Sequence, residues 1–136
     1  MIFVDACAIV AIISNENEAL AYAGVLDTVA NAFTSSLAAW EAALVLSRKD
    51  KLDVGIEAAG KAVRDWLKTN NVKLQNLQDP QDTIHKLAIH AAQTYGVSRR
   101  SLSNFDCFHY AHAKATGASM LTLDKRLRDT DLQCLP

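Results

Sequence analysis

Three short apolar runs decide what this chain can become. "MIFV" at the start, "AFTSS" around Phe33 and "SMLTL" at residues 119–123 are too short to bury as helices, and each runs into an acid or a hydroxyl. They read as buried strands. "VKLQNL" alternates as a further strand should, and "LQCL" near the end reads as a last short one. Between them lie stretches of helical length. "ACAIVAIIS" and "EALAYAGVLDTVA" follow the first strand, and "SLAAWEAALVL" follows the second, with Ser36 placed to cap it. From Val54 to Leu67, Ile56, Ala59, Val63, Trp66 and Leu67 recur at helical spacing. Asp79-Pro80 supplies an N-cap and a first-position proline for a helix with the stripe Ile84, Leu87, Ala88, Ala91 and Tyr95, ended at Gly96. A last long helix opens at Ser103 and runs to Gly117. Short apolar strands alternating with helices define an α/β fold with a mainly parallel central sheet.

At 136 residues the expectation is one domain spanning 1–136. The formal net charge is -1, which excludes a wholly basic nucleic-acid binder and leaves room for a local basic patch. Cys7, Cys107 and Cys134 fit no zinc spacing and leave one thiol over in any disulfide scheme, so they read as small buried hydrophobes in a reducing compartment. No apolar run reaches a membrane span, and the start lacks the basic region of a signal peptide. The expected location is the cytoplasm.

Glu41 sits in the middle of an almost wholly apolar helix, about five residues in, beyond the reach of a cap or of the helix dipole. Its neighbours Ala38, Trp40, Ala42, Leu44 and Val45 offer no positive partner, so either it reaches out to solvent or it faces a cation. Asp5 ends the first strand, Asp106 opens a late helix and Asp124 ends a late strand. Each has an ordinary use. Asp5 and Asp124 can cap the helices that follow, and Ser103 to Asp106 is close to a capping box. In a parallel sheet, however, strand ends and helix starts share one edge, where ligands bind. Four carboxylates gathered there ionise together only if cations intervene, and Mg²⁺ or Mn²⁺ suits an all-oxygen donor set. His109 and His112 follow Asp106 at three-residue steps, which drift round a helix, so they read as surface or packing histidines.

"FVDACAIVAII", "SSLAAWEAALVL" and "LSNFDCFHYAHAKATGASMLTLD" together resemble the PIN-domain ribonucleases, and among them the VapC-type toxins of toxin–antitoxin pairs. The resemblance covers nearly the whole chain and implies a three-layer α/β/α domain. It implies that Asp5, Glu41, Asp106 and Asp124 form an acidic quartet holding one or two Mg²⁺ (or Mn²⁺) ions. Asn104, Ser35 and Thr122 match the family's supporting polar positions. The implied activity is RNA hydrolysis leaving 5′-phosphate and 3′-hydroxyl ends, and the implied partners are a VapB-type antitoxin and a second copy of the chain.

One position departs from the pattern: Cys7 stands where the family usually has Ser or Thr, and a thiol is the weaker donor. Asp129 and Asp131 are sequence rivals of Asp124 for the fourth place. Arg99, Arg100 and Arg126, with Lys125 and Arg128, are the expected RNA-binding charges, while Trp66 reads as packing rather than as a base-stacking platform. A receiver-like phosphorylation domain would need paired acids after the first strand and an acid at the end of a middle one, and both are absent. A PIN-like scaffold that binds RNA or protein without cutting remains the alternative to an enzyme.

Overall fold

The computed structural model describes residues 1–77 and 82–136. In chain order the elements are β1 (Ile2–Val4), α1 (Ala6–Ile13), α2 (Ala19–Leu26), β2 (Ala32–Thr34), α3 (Ser36–Leu46) and α4 (Ile56–Thr69). There follow β3 (Val72–Leu74), α5 (Thr83–Tyr95), α6 (Asn104–Thr116), β4 (Ser119–Leu121), α7 (Lys125–Arg128) and β5 (Cys134–Leu135). The reading of Asp79-Pro80 as a helix start falls outside the described residues.

Among the described residues five strands pair, all in parallel, in the order β3-β2-β1-β4-β5. β1 is central, which is why Ile2, Phe3 and Val4 are apolar in succession rather than alternating: both faces of the strand are covered. At the β3 edge the pattern loosens, with Val72 buried and Lys73 and Leu74 exposed. Thr34, at the end of β2, donates its hydroxyl proton to the Val4 carbonyl at 2.7 Å and pins the ends of two strands together.

Alanine sets the helix packing. Ala6, Ala8 and Ala11 of α1 and Ala38, Ala42 and Ala43 of α3 are buried, so the two backbones approach closely. α1 also contacts α2 and α4, while α5 and α6 form a separate pair, with α6 against β1. Ser35 rather than Ser36 caps α3: its hydroxyl oxygen accepts from the Ala38 amide at 3.1 Å, and Ser36 is the first helical residue. Trp66 is half-buried against the core, as its place in the apolar stripe implied.

Asp131 locks the chain's return to α6. The fully buried Tyr110 donates its hydroxyl proton to Asp131 Oδ1 (2.9 Å), Lys114 Nζ donates to Oδ2 (2.5 Å), and the Asp131 amide donates to the Tyr95 hydroxyl (3.1 Å). The Lys114 hydrogen bond, against slight burial and aided by the two tyrosines, holds the Asp131 carboxyl below its ordinary pKa. Asp131→Ala strands the Tyr110 hydroxyl and is expected to cost about 1–2 kcal/mol in urea unfolding at pH 7. A depressed carboxyl contributes fully above its unfolded pKa of about 3.9, and loses that contribution as pH falls through the folded value. The gap between wild type and variant should therefore narrow in melts below about pH 4; a gap that widened in acid would contradict the assignment.

Candidate active site

The chain runs from β1 outward through β2 to β3, then crosses to the other side of β1 for β4 and β5. The topological switch therefore lies between β1 and β4, where diverging connections open a crevice at the strands' carboxyl ends. Asp5 directly follows β1, and Thr122 directly follows β4. They meet across the switch: Thr122 Oγ1 donates to Asp5 Oδ2 at 2.8 Å. Asp5 also caps α1, its Oδ1 accepting from the Ala6 amide at 2.8 Å, and only 4% of the residue is exposed. Its capping role and its place as a buried carboxyl at the switch are thus one arrangement.

Cys7 is no inert hydrophobe. Its Sγ donates to Asp5 Oδ2 at 3.0 Å and lies 3.2 Å from Thr122 Oγ1 and 3.4 Å from the Tyr22 hydroxyl. Burial, with the Asp5 charge adding, pushes the thiol's pKa far up, so Cys7 is a neutral donor to the carboxylate. Sulfur fills the place of the expected hydroxyl, and the hydrogen bond persists in weaker form.

Asp106 enters from the first turn of α6 through a full capping box. Ser103 Oγ accepts from the Asp106 amide (3.1 Å), and Asp106 Oδ2 accepts from the Ser103 amide (2.6 Å). Its Oδ1 has no hydrogen-bond donor among the described residues. Burial pushes the Asp106 pKa up, the Ser103 hydrogen bonds oppose the rise, and the charges of Asp5 and Asp124 add to it. Those charge effects put the three aspartates in one electrostatic neighbourhood.

Glu41 keeps a route to solvent and gains a partner that its own helix does not offer. His109 of α6, fully buried, lies with Nε2 2.7 Å from Glu41 Oε2, while the Glu41 side chain keeps 26% exposure. Burial pulls the His109 pKa down, but the Glu41 hydrogen bond and the charges of Asp5, Glu41 and Asp106 outweigh it and leave it raised. The surface option for His109 and His112 is corrected: both are buried against Phe3, with ring centroids 5.9 and 6.1 Å from it. The signal for His109 was indirect. A glutamate without a partner on its own helix leaves room for one from another element, and the chain has four histidines.

Asp124 caps α7, accepting from the Arg126 amide at 2.8 Å. The Arg126 guanidinium grips the same carboxylate through Nε (3.1 Å) and Nη2 (2.6 Å). That pairing, against burial, lowers the Asp124 pKa. Arg126 also feels Asp106 and Asp5, so its charge faces the whole cluster. A shallow cleft of about 420 Å³ runs from it past Arg99, Ser103 and the exposed Asn104, and a second of about 130 Å³ joins Arg126 to Arg100 and Asp129. The three arginines therefore line adjoining clefts beside the acids. Arg128 is turned to backbone, donating to the Thr122 and Pro136 carbonyls. Of the rivals of Asp124, Asp131 is committed to Tyr110 and Lys114, and Asp129 faces the arginine cleft. Ser35 is buried in its capping role.

Carboxylate oxygens dominate this edge, so its donors match a hard divalent cation in kind. As the side chains stand, no three His, Cys, Asp or Glu residues among those described come close enough together to hold an ion. Arg126 and His109 occupy two of the four acids, and occupation by a metal requires those carboxylates to turn.

An all-parallel α/β domain with acids gathered at its switch point is the class these features define. The sequence matches the PIN domain over residues 2–132, and the chain belongs to that family. The VapC20 toxin of Mycobacterium tuberculosis, described as cleaving the sarcin–ricin loop, superposes with a TM-score of 0.73 at 15% identity, covering 97% of this chain and 96% of that one. VapBC-1 from nontypeable Haemophilus influenzae superposes at 0.68 with 20% identity, covering 98% and 96%. The expected α/β PIN-like fold is the one found, with a sheet that is wholly rather than mainly parallel. No curated protein matches the chain in sequence. Among the described residues no helix is long and apolar enough to cross a membrane.

Proposed function

We propose that this chain is a VapC-type toxin: a single PIN domain that hydrolyses RNA with Mg²⁺ or Mn²⁺ and is neutralised by a VapB-type antitoxin. The observation that carries the reading is the Asp5–Thr122 clasp at the switch point, with Asp106 near enough for its pKa to rise under the charges of Asp5 and Asp124. Asp5, Glu41, Asp106 and Asp124 are the proposed metal ligands. When bound, the ion supplies Lewis-acid stabilisation of phosphate charge and a more acidic water. The protein holds the rest in place. Thr122 and Cys7 fix the Asp5 carboxylate, Ser35 and Ser103 set the helix starts that carry Glu41 and Asp106, and Asn104 borders the cleft where a ribose or phosphate would lie.

Arg99, Arg100 and Arg126 supply the positive charge for the RNA backbone. Arg126 is poised to exchange Asp124 for a phosphate, because a guanidinium binds either group in the same two-pronged way. The solved VapBC-1 complex supports an antitoxin partner, and a homodimer in the cytoplasm completes the proposal. A scaffold that binds without cutting is the second reading, favoured by the engagement of Glu41 and Asp124 with protein cations.

Antitoxin-free protein incubated with labelled single-stranded and stem-loop RNAs separates the two. Cleavage with Mg²⁺ or Mn²⁺ that stops with chelator is the expected result. RNA binding without cleavage under any metal supports the scaffold.

A further inference from the structure

We propose that His109 is the positioning residue for Glu41, holding its carboxylate at the rim of the acidic cluster through the 2.7 Å contact with Nε2. The proposal rests on the nuclease reading above and concerns how the acid of α3 is aimed.

Stability alone does not account for this histidine. Its ring is fully buried beside Phe3, and its Nδ1 is buried with no hydrogen-bond partner among the described residues. Burying a polar atom without a partner is unfavourable, and an aliphatic side chain would fill such a site without that cost. Glu41 does not need rescue either, since its side chain is a quarter exposed and reaches water. What the pair does is geometric. α3 packs with α1 and α4, α6 packs with α5 and β1, and α3 and α6 share few contacts. The Glu41–His109 hydrogen bond joins them at the sheet's carboxyl edge. A carboxylate can only accept, so Nε2 carries the proton between the two groups. A long, flexible glutamate on a helix with no local partner thereby acquires one direction. An outer residue that orients a carboxylate ligand typically changes metal affinity or activity by about 10- to 100-fold when removed.

The test compares His109→Leu, which keeps bulk without a donor, with His109→Gln, whose amide can still donate to Glu41. Both are checked by thermal melting, titrated with Mn²⁺ under electron paramagnetic resonance, and assayed for RNA cleavage with kcat and KM separated. The leucine variant is expected to fold, to bind Mn²⁺ at least about tenfold more weakly and to lose kcat with little change in KM for RNA. The glutamine variant should recover most of both. Leucine and wild-type proteins with equal Mn²⁺ affinity and kcat overturn the proposal while leaving the nuclease standing. Glutamine failing as badly as leucine, with both melting early, also overturns it in favour of a packing role. A wild-type protein that binds no Mn²⁺ overturns the metal reading and this proposal together.

Discussion

Asp106→Asn is expected to abolish RNA cleavage while leaving the fold intact or slightly more stable. The substitution keeps the shape of the side chain and an oxygen that can accept from the Ser103 amide, so the capping box at the start of α6 survives. What it removes is the negative charge of a carboxyl that feels Asp5 and Asp124. Loss of one group stabilising transition-state charge typically costs about 10²–10³ in rate, and loss of a metal ligand is at least as severe. Stability should move the other way. The Asp106 pKa is raised by burial and by the charges of Asp5 and Asp124, so its ionised form is disfavoured in the folded state at neutral pH. A neutral asparagine removes that penalty. Cleavage assays with Mn²⁺ beside thermal melts at pH 7 read both effects. Full activity in the variant would place the chemistry elsewhere, and a large fall in melting temperature would reduce Asp106 to a helix cap.

The second large effect is on folding. Phe3 is fully buried in the central strand, edge-on to Phe33 at 5.4 Å and stacked on His112 at 6.1 Å. Phe3→Ala removes the ring that both histidines of α6 rest on, and should cost about 3–5 kcal/mol. Against a total of about 5–15 kcal/mol that is a large fraction, so chemical denaturation should show a much earlier midpoint. Leu20→Ala is the natural control. Leu20 is 85% exposed, and its removal should change stability by no more than about 0.5 kcal/mol. A Phe3→Ala protein as stable as the control would mean the core closes over the gap. Because Phe3 carries His109, whatever fraction of the variant folds should also cut RNA more slowly.

The chain's own pattern located every strand, four of them within a residue or two, while β3 stops at Leu74, three residues short of the end of "VKLQNL". Five short apolar runs separated by helical periodicity have few ways to bury themselves other than a parallel sheet between helices. The helix caps were equally local. Asp5, Ser103 and Asp124 cap where their spacing implied, because a cap depends only on residues two or three positions away. The slip from Ser35 to Ser36 shows the limit of that rule: two adjacent serines satisfy it, and the backbone angle that decides between them is not written in composition.

The relations between distant residues were decided by the tertiary structure. The clasp between Thr122 and Asp5 spans 117 positions and exists because β4 pairs directly with β1. Arg126 was expected as an RNA-binding charge, and the fold also pairs it with Asp124 and turns it toward Asp106 and Asp5. Spacing along α6 gave His109 no role, and it could not show that α3 would bring Glu41 against that histidine. Sequence periodicity reports which face of an element turns inward, and that determined the layers, the strands and the caps. It carries no information on what the inward face meets 68 residues away. The pairing of Glu41 with His109, of Cys7 with Asp5 and of Arg126 with Asp124 was therefore fixed only when the elements packed, since hydrogen-bond partners are chosen by distances of about 3 Å that only the assembled sheet defines.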